Sequence, residues 1–249
     1  MIKLIAGDGE APTFGLVLAL EELGLDYALS RIDLAQFEQW DAAHRALSPT
    51  GASPVLLADG HIMDHALLAL FYLAEAHPGM GLMPDDPVER YRVQAETAIM
   101  TRQMAGSLNM IGWAQSLPAE QRADYFARLG ARPDRPKISG WSAVWRDAVP
   151  EERRLEDARA KVVSGMDHIA ALIGSRDWLI GARMTLADIV GFSLVRLAAE
   201  LIPDCSALSG SSPLADWFAR VAARQPVRHA TARLEQEGIA QIFCPPAIQ

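Results

Sequence analysis

Residue type and spacing could do chemistry at Ser53-Pro54, at Asp64-His65, and in the stretch Glu10-Ala-Pro-Thr13. Ser53 precedes a proline at the head of the apolar run Val55-Leu-Leu-Ala58. A proline there tolerates its missing N–H, and the bond before it can be trans or cis. A trans proline simply begins a strand. A cis bond turns the N–H and C=O of Ser53 outward, where an extended peptide can pair with them. The residues alone leave both forms open. Asp64 stands where an apolar helix should begin, so its carboxylate can accept from the first free N–H groups and complement the positive end of the helix dipole. The result is a small polar site beside a buried hairpin.

The elements that must hold these residues follow from the pattern around them. Asp59-Gly60 is the dipeptide of a tight hairpin turn between Val55-Leu-Leu-Ala58 and His61-Ile-Met63, and residues 66–73 continue as a helix. Before this unit come a strand over 1–6, a turn at Gly7-Asp-Gly9, a helix over 12–23 with Pro12 suited to its first position, and a strand over 26–33. A short helix over 41–47 precedes Pro49. The stretch 77–87 shifts to Gly, Met, Asp and Pro and reads as a linker. Beyond it the strand signals stop, and helical segments are predicted over 88–115, 118–129, 151–173, 185–200 and 214–223. Thr185 with Asp188 is a capping box, a structural device for starting its helix. The expected domains are 1–78 and 87–249.

Composition sets limits on function. With 249 residues, half of them hydrophobic, the chain can bury a full core without disulfides or a cofactor. A net charge of −8 and a pI near 5.2 argue against electrostatic binding to nucleic acid. No signal-peptide pattern opens the sequence, and runs such as 14–20 are too short to span a bilayer, which leads to the expectation of a cytoplasmic protein without membrane contact. Cys205 and Cys244 read as free thiols, and no Cys or His spacing suits zinc, so no metal is expected.

Pro49-Thr-Gly51, Ser53-Pro54-Val-Leu-Leu, Asp59-Gly60, Asp64 and Tyr72-Leu73 together resemble the glutathione-binding half of the glutathione S-transferase family. Gly181-Ala-Arg-Met-Thr185-Leu-Ala-Asp188 and the stretch from Leu214 through Trp217 to Pro226 resemble its helical half. The resemblance implies an α/β thioredoxin-like N-terminal domain followed by an all-α C-terminal domain, with glutathione as cosubstrate. It implies a cis Pro54, Ser53 pairing with the cysteinyl part of glutathione, and Asp64 with His65 holding the γ-glutamyl end. Members of the family usually keep a serine where this chain has His65.

By the same resemblance, a hydroxyl near the start of the first helix holds the sulfur as thiolate, and Thr13 stands in the position of the serine-type members. A threonine at a helix start also serves as a structural part. Glu10 acts the other way, because a carboxylate beside a thiolate raises the thiol pKa; it could instead meet the γ-glutamyl amine. Phe37-Glu-Gln-Trp40, Ile111-Gly-Trp-Ala114 and Trp145-Arg-Asp-Ala148 are similar to the bacterial glutathione-dependent β-aryl etherases, which cleave lignin-derived aryl ethers. That similarity implies that Gln39 and Trp40 help hold glutathione, although the position of Trp40 is commonly histidine. Met110, Trp113, Phe126, Trp141 and Trp145 could wall a site for a flat aromatic substrate, and equally could be helix packing.

The resulting expectation is a transferase that attacks the carbon beside an aryl ketone with the glutathione thiolate, releasing a phenol and a thioether. The alternatives are a non-catalytic subunit of a heterodimer with a related chain, motivated by Thr13, Trp40 and His65, and a general detoxifying transferase. A dimer, of two copies or of related chains, is expected in each case.

Overall fold

The computed structural model describes residues 1–116, 119–131, 152–203, 208, 210 and 212–239. Its N-terminal part is built on a four-stranded sheet in the order β2-β1-β3-β4. Strand β1, Ile2–Ala6, runs parallel to β2, Tyr27–Arg31, and antiparallel to β3, Val55–Ala58, which pairs antiparallel with β4, His61–Met63. The β3–β4 turn has Asp59 at φ 52° and Gly60 at φ 79°. Two consecutive positive φ values are what a two-residue hairpin needs to match strand twist, and Asp-Gly tolerates them best.

Helix α1, Ala11–Glu22, crosses between β1 and β2, with Leu16 through Leu20 wholly buried. It ends where Gly24 takes φ 60°, a left-handed position that glycine adopts without a Cβ penalty. Helix α2 is the short segment Ala42–Arg45, preceded by 3-10 turns at Leu34–Gln36 and Glu38–Trp40. Helix α3, Ala66–Ala76, follows the hairpin and packs on α1.

From Pro87 onward every described element is helical: α4 Pro87–Ser116, α5 Ala119–Ala131, α6 Glu152–Ile173, α7 Leu186–Leu201, α8 Pro213–Ala222 and α9 Gln225–Gln236. Helix α7 is buried along nearly its whole length and packs against both α4 and α1, which joins the two halves through one hydrophobic core. Asp188 is its polar anchor. One carboxylate oxygen accepts from the Leu179 N–H and the Trp217 indole, both at 2.9 Å, and the other accepts from the Thr185 N–H at 2.9 Å. The Thr185–Asp188 pair thus starts α7, as its spacing suggested, and also fixes α8 through Trp217.

The sequence reading did not foresee α9. The predicted helices stop at residue 223, and Pro226 lies in the first turn of a further one, where a missing N–H has no cost. Helix α9 returns against α1, and the Arg224 guanidinium at its N-cap makes two 2.6 Å bonds to Glu22.

Candidate functional site

The site is assembled from the turn after α2. Ser48 is wholly buried; its hydroxyl accepts from the Ala52 N–H at 2.9 Å and donates to Asp64 Oδ2 at 2.9 Å. His44 Nε2 lies 2.7 Å from the Ala52 carbonyl oxygen, and since that oxygen can only accept, Nε2 carries the proton. Both backbone groups of Ala52 are therefore clamped. At the next residue the Ser53 hydroxyl accepts from the Gly7 N–H at 3.1 Å, while the Ser53 N–H and C=O have no partner among the described residues. The Ser53–Pro54 bond is cis.

Asp64 does not cap α3. That helix starts at Ala66 with His65 at the N-cap, and no side chain caps it. The Asp64 carboxylate turns instead to Ser48, because a buried hydroxyl needs an acceptor and this one has Asp64 within reach.

Gln39 and Trp40 stand on the 3-10 turn across the loop. The Gln39 Oε1 atom is buried without a partner. Trp40 packs against Gly51, whose absent Cβ would fall 2.2 Å from the indole ring. Gly51 is thus required twice, by that contact and by its φ of 70°. Trp40 and Trp113 both pack against the buried pair Phe37 and Tyr125, with ring centroids 4.8 Å apart for Phe37–Tyr125 and 5.5 Å for Trp113–Tyr125. This aromatic cluster ties the 34–40 segment to α4 and α5. Met110 packs instead against the main core. Trp141 and Trp145 lie outside the described residues, as do the side chain of Phe126 and both cysteines.

Thr13 is the third residue of α1. The residue is wholly buried, and its hydroxyl oxygen has no hydrogen-bond partner. Helix α1 begins at Ala11, one residue earlier than expected, and its third residue falls on the face packed into the core.

What stands at that helix end is a carboxyl pair. Glu10 occupies the N-cap of α1 without capping it through its side chain. Its N–H donates to Asp8 Oδ1 at 3.2 Å, and Asn109 of α4 donates to Glu10 Oε1 at 3.1 Å. Burial pushes the Asp8 carboxyl up to about 6. Burial, then the charge of Asp8 beside it, raises Glu10 well above the ordinary carboxylate range. Arg196 of α7 fixes the same loop by donating to the Gly9 carbonyl at 2.7 Å, with its guanidinium 4.2 Å over the Phe14 ring.

Between α1, α3, α4 and α7 lies a cavity of about 240 Å³, lined by Ala11, Pro12, Asp64, His65, Thr101, Ser193 and aliphatic side chains. Among the described residues no three His, Cys, Asp or Glu side chains group as a metal site, and no helix is long and apolar enough to cross a membrane.

Residues 125–225 match the family model described as glutathione S-transferase, C-terminal domain. The chain is 24% identical over 226 residues to glutathione S-transferase GstA of Escherichia coli O157:H7, covering 89% of this chain and 92% of GstA. The chain thus matches the glutathione S-transferase C-terminal domain over residues 125–225 and is similar over most of its length to glutathione S-transferases. Its fold is that of the β-etherase LigF from Sphingobium sp. strain SYK-6, at 20% identity, a TM-score of 0.75, and coverage of 93% of this chain and 99% of LigF. The glutathione transferase URE2P8 from Phanerochaete chrysosporium, solved with oxidized glutathione, has the same fold at 16% identity and a TM-score of 0.74, covering 96% of this chain and 97% of its own. Asp64 and His65 line one cavity with Ala11 and Pro12 at the start of α1, Ser53 reaches the same end of the sheet through Gly7, and the Thr13 hydroxyl is buried within the core.

Proposed function

We propose that the chain is a glutathione transferase that uses the glutathione thiolate to displace an aryloxide from a β-aryl ether ketone. The observation that carries the glutathione reading is the Ser53 backbone, with its N–H and C=O both unpaired beside a clamped Ala52. A peptide laid along it as an added strand satisfies both groups. Asp64, held by Ser48, and His65 then meet the γ-glutamyl end, and Gln39 offers its unpaired oxygen to the rest of the peptide.

The thiol must lose its proton, although a free thiol has a pKa of about 8.5. The N–H groups of Ala11 and Thr13 lack intrahelical acceptors at the positive end of α1, where they favour a thiolate. Glu10 supplies the donor that Thr13 cannot. A neutral carboxyl does not repel a thiolate and can donate a hydrogen bond to it, and Asn109 holds it in place. In the reaction the sulfur–carbon bond forms, the carbon–oxygen bond breaks, and the thiol proton ends on the released phenol.

Likeness to LigF in fold, together with the Phe37-Glu-Gln-Trp40 and Ile111-Gly-Trp-Ala114 fragments, supports the aryl ether as substrate. Exposed Ile62, Leu68, Val88 and Tyr91 on β4, α3 and the start of α4 supply apolar surface for a two-fold dimer, of two copies or with a related chain. The test is phenol release from a β-aryl ether ketone plus glutathione by the purified chain. Conjugation of a simple chloronitroarene without phenol release would replace the etherase reading with a general transferase. Glutathione binding without turnover of either substrate would favour a non-catalytic subunit.

A further inference from the structure

The segment 34–40 rests on two glycines, one on each side of the Ser53 loop. At its start Leu34 packs on Gly7, where a Cβ would fall 2.2 Å from the leucine Cγ, and the Gly7 N–H is the donor to the Ser53 hydroxyl. At its end Trp40 packs on Gly51, two residues before Ser53. Gln39, with its buried and unpaired Oε1, stands directly before Trp40. A shift of this segment therefore loosens both glycine contacts and carries Gln39 with it.

The side chains that hold the segment come from the helical half of the molecule. Its middle residue, Phe37, has φ 64° and ψ 27°. A bulky residue is strained in that left-handed conformation, which persists only where the surroundings impose it. Here the surroundings include α5. The buried Phe37 ring has its centroid 4.8 Å from that of Tyr125. Arg128, one turn further along α5, lies 5.4 Å over the same ring and donates to Gln36 Oε1 at 3.3 Å. Trp113 of α4 meets Tyr125 edge-on and backs it from the other helix. Phe37 and Tyr125 form a buried pair apart from the main core, so their packing fixes the 34–40 segment rather than completing that core.

We propose that Tyr125 of α5 is a positioning residue for the glutathione site: packed on Phe37, it holds the 34–40 segment down on Gly7 and Gly51 and so sets the places of Gln39 and the Ser53 loop. The proposal rests on the glutathione reading for its ligand, and adds that a residue of the helical half governs how tightly the N-terminal half binds it. By linkage, whatever moves α5 away from Phe37 weakens glutathione by the same route.

Hydrogen exchange on the ligand-free chain and calorimetric titration of glutathione, run on the same full-length samples, test it. The amides of Phe37, Glu38 and Trp40 donate to nearby carbonyls and report the segment directly. In Tyr125→Ala they should exchange about tenfold faster or more, with the amides of Val55–Ala58 unchanged. Glutathione Kd should rise about fivefold or more, and in turnover the loss should fall on KM, with kcat at saturation within about twofold. Tyr125→Phe, which keeps the ring, should match wild type in both measurements. Phe37→Ala combined with Tyr125→Ala should bind no more weakly than the worse single variant, because the two act in series. Arg128→Ala, which empties no core, should shift exchange and Kd in the same direction and serves if Tyr125→Ala does not fold. Unchanged exchange at the three amides overturns the proposal whether or not glutathione binds. A lowered Tm with unchanged Kd also overturns it, as does full additivity with Phe37→Ala, which would place Tyr125 on another route. A folded wild type that ignores glutathione overturns instead the reading on which the ligand rests.

Discussion

Ser48 provides a direct test of how the site is held, because one buried hydroxyl supports two parts of it. Ser48→Ala removes the 2.9 Å bond to Asp64 and the 2.9 Å bond from the Ala52 N–H. A hydrogen bond to a charged group contributes about 1.5–3 kcal/mol, and a buried N–H left unpaired costs about 1–3 kcal/mol. Ala52 and Asp64 are only half-buried, so water replaces part of each bond and the lower ends apply. The expected loss of fold stability is about 2 kcal/mol. The expected loss in glutathione affinity, through a carboxylate no longer aimed, is about 1–2 kcal/mol, or roughly 5- to 30-fold in Kd. Calorimetric titration of glutathione into wild type, Ser48→Ala, Asp64→Asn and the double variant reads both the loss and its route. If Ser48 acts through Asp64, the double variant is weakened no more than the worse single variant. A Ser48→Ala protein with lowered Tm and unchanged Kd would refute the reasoning and reduce Ser48 to a packing residue.

Thr13→Val removes a buried hydroxyl without a partner, so it should raise stability by about 1 kcal/mol in urea titration and leave kcat/KM within about twofold; a large loss of activity would restore Thr13 to the sulfur site. Glu10→Gln keeps a donor and should retain most of kcat, whereas Glu10→Leu should lower kcat about 10- to 100-fold with little change in glutathione Kd; equal activity in both would exclude the donor role. Asp8 titrates near 6 in the fold against 3.8 ordinarily, so between those values the native state binds more protons than the unfolded one, and stability falls as pH rises through about 6. Asp8→Asn, which still accepts the Glu10 N–H, should therefore gain about 2 kcal/mol at pH 8 and little at pH 4, read from denaturant midpoints at both values; a gain independent of pH would contradict that linkage.

The fold was legible where local chemistry is strong. Asp59-Gly60 dictated the hairpin turn, Thr185 with Asp188 marked the start of α7, and the end of strand signals announced the helical half. Helix α9 was not legible, because a proline that ends one helix and a proline that opens the next look alike in sequence. At the site, Ser53 and Asp64 came from the pattern, but Ser48 and His44 did not. Their roles depend on long-range bonds to Ala52 and Asp64 that spacing does not encode. The burial of the Thr13 hydroxyl was not legible either, because α1 is packed nearly all round by elements distant in the sequence. The left-handed Phe37, φ 64°, was equally invisible, because a bulky residue rarely adopts that backbone and nothing in its neighbours signals it.

The central claim is that the unpaired Ser53 backbone and the Ser48-oriented Asp64 receive glutathione, and its most direct test is a calorimetric titration of glutathione into the purified, folded chain. The account predicts saturable binding at one site per chain, weakened by Asp64→Asn and retained in Thr13→Val. A folded protein that releases no heat and shows no competition at any glutathione concentration would contradict it.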